Sequence, residues 1–181
     1  FKAFGLPWQW STETYGRLLK VTGGYERMRA YAEGMQDPEA SVTWDEALFR
    51  RINHWKNDYY ATLLKNGGIQ PRWGFVSLVQ QALARGQQWA VVTTTSQANW
   101  GALWEHAILR NSGLPAPSVI ICGEQVAKKK PDPEAYLIAL EQLQLSADDC
   151  IAIEDSRNGL TAASGAGIPT VIVRSEYFKQ D

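Results

Sequence analysis

Apolar residues recur at helical spacing through the first third of the chain, from Leu6 to about Gly68. Ser11 or Thr12 precedes a stretch that puts Tyr15, Leu18 and Leu19 on one face, which predicts a capped helix. Gly23-Gly24 breaks it, and Tyr25–Ala32 reads as a second short helix. Thr43-Trp44-Asp45-Glu46 has the form of a capping box, in which the hydroxyl takes the Glu46 amide and Glu46 reaches back. The helix it opens carries Leu48, Ile52, Trp55, Tyr59 and Leu63 as one stripe, and Gly67-Gly68 ends it.

From Gln70 onward the pattern alternates. Short apolar runs at Trp89–Thr93, Val119–Cys122, Cys150–Ile153 and Thr170–Val173 read as strands. Between them, and ahead of the first, lie helical stretches: Pro71–Arg85 stopped by Gly86, Ser96–Asn111 stopped by Gly113, one opened by Asp132-Pro133 and running to Leu145, and Ser156–Ala166. Strand and helix in strict alternation with short connections predict an α/β fold, a parallel sheet with helices on its faces. The chain therefore divides into a small helical domain, residues 1–69, and an α/β domain, residues 70–181, joined by a stretch rich in glycine and proline near Asn66–Pro71.

In such sheets the reactive residues collect just past the C-terminal ends of the strands. The first exit carries Thr93-Thr94-Thr95-Ser96, hydroxyls and helix-start amides suited to an anion. The second carries Lys128-Lys129-Lys130 before Pro131-Asp132-Pro133, which fixes an ammonium beside a rigid helix start. The third carries Glu154-Asp155-Ser156, two carboxylates of the kind magnesium takes together with water and a phosphate oxygen. Each has a plain alternative when taken alone: a helix cap, a solvated basic loop, an acidic first turn. In sequence after three successive strands they describe magnesium-assisted phosphoryl transfer, in which neutralisation of charge does most of the work.

Composition narrows the field further. Lysine plus arginine number 18 and aspartate plus glutamate 19, a net charge of 18 − 19 = −1, so nothing general draws the chain to nucleic acid or to an acidic membrane. The apolar runs are strand-length and none spans a bilayer. Cys122 and Cys150 sit in apolar runs with no C-x-x-C, so two buried reduced thiols are expected, and a cytoplasmic location with them. His106 lies among Leu103, Trp104 and Leu109 and reads as packing, as do Trp44, Trp55, Trp100 and Trp104; His54 is an ordinary helix residue.

The run VVTTTS at Val91–Ser96, the stretch Cys122–Pro133 and the run IAIEDSRNGLTAASGAGIPTV at Ile151–Val171 resemble the haloacid dehalogenase-like (HAD) hydrolases, in their capped phosphatase and phosphomutase branch. Leu6-Pro7-Trp8-Gln9-Trp10, Tyr15-Gly16, Leu18-Leu19-Lys20-Val21 and Gly23-Gly24 are similar to the cap of CbbY-type phosphatases, which act on sugar bisphosphates, and more distantly to β-phosphoglucomutase. The resemblance implies a Rossmannoid core under a helical cap and a Mg2+-dependent phosphatase of small phosphorylated metabolites, sugar phosphates above all. It implies that Thr93 grips the transferring phosphoryl group with help from the Thr94 amide, and that Lys130 stabilises charge on it. Asp155 would ligate Mg2+ directly and Glu154 would assist. Thr95, Ser96 and Asn99 would meet the distal part of the substrate, and the loop around Gly23, Gly24 and Arg27 would close over it and select it.

The family's nucleophile is the first aspartate of a D-x-D pair at the end of a strand that precedes the cap. No D-x-D occurs in the 181 residues, so that strand and its aspartate are expected upstream of Phe1. The same strand lies at the centre of the family's sheet, between Trp89–Thr93 and Cys150–Ile153. Either it exists in the full protein, or another chain supplies it by self-association or strand exchange, or the sheet closes around the gap. After Gly23-Gly24 the family carries a basic residue where this chain has Tyr25. Two further functions share the same residues: a truncated, non-catalytic remnant serving as a binding or oligomerising module, and a phosphomutase.

Overall fold

The computed structural model describes residues 1–34 and 45–175. They form two compact units, Phe1–Tyr60 and Ala61–Asp181.

The first unit is helical. It holds α1 (Thr12–Leu18), α2 (Gly24–Gly34) and the start of α3 (Glu46–Lys65); the segment before α1 joins α2 and α3 around a core of Leu6, Trp8, Met28, Phe49 and Ile52. Ser11 rather than Thr12 caps α1, its Oγ accepting the Thr14 amide. Thr43 and Trp44 lie outside the described residues; at the start of α3 it is Asp45 whose Oδ1 accepts the Ala47 and Leu48 amides. The buried side of α3 differs from the expected stripe. Phe49, Ile52 and Leu64 are inside, whereas Trp55 and Tyr59 are about half exposed and stack on each other at 5.5 Å. Both series share Ile52, and a shift of one residue turns the stripe by about 100°, so spacing alone does not choose between them. Trp8 fills the centre, stacked on Phe49 and edge-on to Phe1 and Tyr31.

The second unit alternates as expected: α4 (Phe75–Ala84), β1 (Ala90–Val92), α5 (Gln97–Leu103), β2 (Val119–Ile121), α6 (Glu134–Leu143), β3 (Ala152–Glu154), α7 (Arg157–Gly165) and β4 (Thr170–Ile172). Helix α4 begins at Phe75, not at Pro71, because Gly74 takes a left-handed φ of 86° that interrupts the helical path. Helix α5 continues through a π-helical stretch, Trp104–Leu109, to Gly113, whose φ of 62° ends it. His106 sits in that stretch, its Nδ1 buried without a hydrogen bond among the described residues.

The strands pair as two parallel ladders, β1 with β2 (Val91 opposite Ile120) and β3 with β4 (Ile153 opposite Val171). Among the described residues no backbone ladder joins β1 to β3, so closure of the sheet across that gap is not what the chain does. The β1–β2 ladder is enclosed: Ile121 and Cys122 are fully buried, Cys122 among Val79, Trp100, Ile108 and Leu114 and Ile121 among Val119, Ala135 and Ala139. The β3–β4 ladder covers only one face. Ala152 packs on Ala162, Ala163, Ala166 and Ile168, while Ile151, Ile153, Val171 and Val173 on the other face are exposed. Both cysteines are free thiols, and burial pushes both up from the ordinary range.

Candidate active site

The exits of β1, β2 and β3 bring three groups together in the second unit. Thr93 follows β1, and its Oγ1 accepts the Thr95 amide, a tight turn that leaves the Thr94 amide without a partner among the described residues. Ser96 caps α5 through the Asn99 amide, and Asn99 Nδ2 donates to Thr95 Oγ1. The Glu124 carboxylate accepts the Gln97 amide, so part of the expected anion site at the start of α5 is filled by the protein itself. Gly123 lies directly beneath this turn. Its amide donates to Thr95 O, and a Cβ on it would stand 2.5 Å from Thr94 O.

Lys130 is 7% exposed. Its ammonium donates to Val92 O at 2.8 Å, on the open edge of β1, and to Glu154 Oε1 at 2.6 Å, at the end of β3. The Tyr136 hydroxyl donates to the same Glu154 oxygen, and its ring lies 4.6 Å from the ammonium. Burial, then the Glu154 charge, raise the Tyr136 phenol far above its ordinary value, so it keeps its proton and remains a donor. The other Glu154 oxygen rests on Gly159, where a Cβ would overlap it.

Asp155 lives in a different setting. Its side chain is half exposed, Oδ2 accepts from Arg72 Nη2 at 3.2 Å, and Oδ1 has no partner among the described residues. Arg72 is held in turn by Arg174 O. A hard carboxylate oxygen open to water fits magnesium, which keeps several waters and needs only one or two carboxylates. No group of three or more His, Cys, Asp or Glu side chains able to hold a metal occurs among the described residues, so the chain offers a carboxylate and not a cage. Glu154 and Asp155 are neighbours in sequence with separate partners. Arg72, Glu124 and Tyr136 were not singled out by sequence reasoning, since their roles rest on pairings up to 83 residues apart.

In the first unit, Gly23 takes a φ of 98° and the Glu26 carboxylate folds back over it. Arg27 donates to Leu18 O, Val21 O and the Tyr15 hydroxyl, so its guanidinium holds the loop ahead of Gly23. Lys56, also absent from the sequence-based candidates, brings its ammonium to Gly24, where a Cβ would meet it at 3.1 Å and Asn53 Oδ1 at 3.2 Å. Lys56 is exposed as a residue, yet burial of its ammonium end, and then the charge of Arg27, lower its pKa. Among the described residues it has no acidic partner. A cation therefore stands at the Gly-Gly loop although Tyr25 does not supply one.

Comparison with known proteins gives the family of the chain. Residues 3–167 match the haloacid dehalogenase-like hydrolase family. The CbbY protein of Cupriavidus necator is 39% identical over 181 residues, covering 100% of this chain and 71% of that protein. The crystal structure of CbbY from Rhodobacter sphaeroides in complex with phosphate superimposes with a TM-score of 0.85 at 34% identity, over 100% of this chain and 78% of that one. An aspartate-to-asparagine variant of that protein, in complex with xylulose 1,5-bisphosphate, superimposes equally well. Matched to the family over most of its length and to CbbY relatives along all of it, the chain belongs to the haloacid dehalogenase-like hydrolases.

Proposed function

We propose that this chain carries the phosphate-binding, lysine and metal-binding parts of a Mg2+-dependent phosphatase of small phosphorylated sugars, with a sugar bisphosphate as the expected substrate class. The observation that carries the reading is the buried Lys130, whose ammonium joins Val92 O, the residue before Thr93, to Glu154, the residue before the half-exposed Asp155. Thr93 and the Thr94 amide would hold the phosphoryl oxygens, and Lys130 would stabilise the charge that gathers as the bond to the sugar oxygen breaks. Asp155 would hold the magnesium, which when bound neutralises phosphoryl charge. Lys56, an ammonium at the Gly23-Gly24 loop with no acidic partner among the described residues, supports a role for that loop in recognising an anionic group. The aspartate that accepts the phosphoryl group is not among residues 1–181, which hold no D-x-D pair, and we place it outside them.

The test is phosphate release from xylulose 1,5-bisphosphate by the complete gene product, with and without Mg2+. Release that requires Mg2+ and is lost in Lys130→Ala and in Asp155→Ala is expected. Release that survives either substitution, or none from any sugar phosphate, overturns the proposal.

A further inference from the structure

The hydroxyl of Tyr136 has no role in the scheme above, yet it sits at an enclosed polar point of the second unit. Tyr136 is 7% exposed, and the Lys130 and Glu154 side chains are 8% and 10% exposed. The three come from the β2–α6 connection, α6 and β3, and they meet on a single atom, Glu154 Oε1. A carboxylate oxygen with two buried donors is fixed in direction as well as in charge. Gly159 closes the far side of the carboxylate, so Glu154 cannot swing away from the pair without moving α7. The aromatic ring meanwhile lies under the ammonium, 4.6 Å from centroid to Nζ, and blocks its retreat toward α6.

We infer that Tyr136 is a positioning residue for the hydrolase: through its bond to Glu154 it fixes the Lys130 ammonium at the gap between β1 and β3, and Glu154 serves as the counter-ion of Lys130 while Asp155 is the carboxylate left for the metal. The inference rests on the phosphatase reading for its catalytic consequence and on the geometry alone for its structural one. Removing the hydroxyl in Tyr136→Phe leaves the ring and the fold in place, but leaves the carboxylate with one directing donor. Lys130 then keeps its charge and loses its fixed position, which acts on the reaction and not on substrate binding.

Three measurements on the complete gene product test this. Nitrogen-detected NMR of the lysine ammonium groups should show a slowly exchanging Lys130 signal whose hydrogen exchange quickens about tenfold or more in Tyr136→Phe. Turnover of xylulose 1,5-bisphosphate should fall about tenfold in kcat with KM within about twofold, and Tyr136→Phe combined with Glu154→Gln should be no slower than Glu154→Gln alone. Calorimetric titration with Mg2+ should give affinities within about twofold of wild type for Tyr136→Phe and Glu154→Gln, and no measurable binding for Asp155→Asn. Unchanged ammonium exchange, effects that multiply in the double variant, or loss of Mg2+ binding in Glu154→Gln overturns the inference. An inactive wild-type protein that still shows the exchange change overturns the phosphatase reading and upholds the geometry.

Discussion

Two lysines, one in each compact unit, have been treated in opposite ways. Lys130 is buried and its charge is met by Glu154 at 2.6 Å. Lys56 is exposed as a residue, has no acidic partner among the described residues, and stands beside a second cation, Arg27. A buried ammonium without a counter-ion is expensive, so the protein supplies one and holds it with Tyr136. An ammonium set near a like charge at a loop lacks that compensation, and the missing anion is the sort of group a ligand can bring. The first lysine is built into the fold, and the second is left for something outside it.

The largest expected effect follows from breaking the buried pair. Lys130→Met should lower kcat about 100- to 1,000-fold, because one preorganised charge is removed from the reacting phosphoryl group. It should also destabilise the protein by about 3–5 kcal/mol, since Glu154 is left buried without a counter-charge; urea denaturation reads that directly. Lys56→Met should do the reverse to stability, raising the denaturation midpoint slightly because it removes a poorly solvated charge beside Arg27. The same change should raise KM for a bisphosphate about tenfold with kcat nearly constant, as expected for a group that binds ground state and transition state alike. A Lys56→Met protein with unaltered KM, or one less stable than wild type, would dissolve the contrast between the two lysines.

The smallest effect concerns pH. With its pKa lowered in the fold by burial and then by Arg27, Lys56 gives up its proton more readily in the native chain than in the unfolded one. The unfolded state therefore binds more protons between the two values, and stability rises with pH across that alkaline window. Denaturation midpoints measured from pH 8 to the unfolded lysine value should climb in wild type relative to Lys56→Met. A flat difference would show that the ammonium is as well solvated as any surface lysine.

How much of this could be seen in the sequence depends on the distance over which each feature is decided. Ser96, Ser156 and Gly113 end or begin helices through contacts within four residues, and their spacing announced them. The strand exits were legible for the same reason, since apolar runs stop where polar chemistry starts. The separate partners of Glu154 and Asp155 were not, because they are Tyr136, 18 residues away, and Arg72, 83 residues away. Lys56 was hidden by its neighbours: among Arg50, Arg51 and His54 it looks like one more solvated charge, and only the approach of α3 to Gly24 makes it special. The α3 stripe failed at the level of packing, where two faces offered comparable apolar residues and the aromatic pair Trp55 and Tyr59 turned outward.

Gly123 has a consequence for how this protein can vary. Its backbone lies outside the left-handed region, so conformation places no demand for glycine there; space does, with Thr94 O where a Cβ would stand. Every alternative residue, however small, must push the β1 exit aside and reorient the open Thr94 amide. In a library covering all twenty residues, selected for turnover and separately for folding, position 123 should tolerate alanine and serine in the folding selection and return only glycine in the turnover selection. A single missing methyl group thus marks the point where the requirements of the fold and those of the reaction part company.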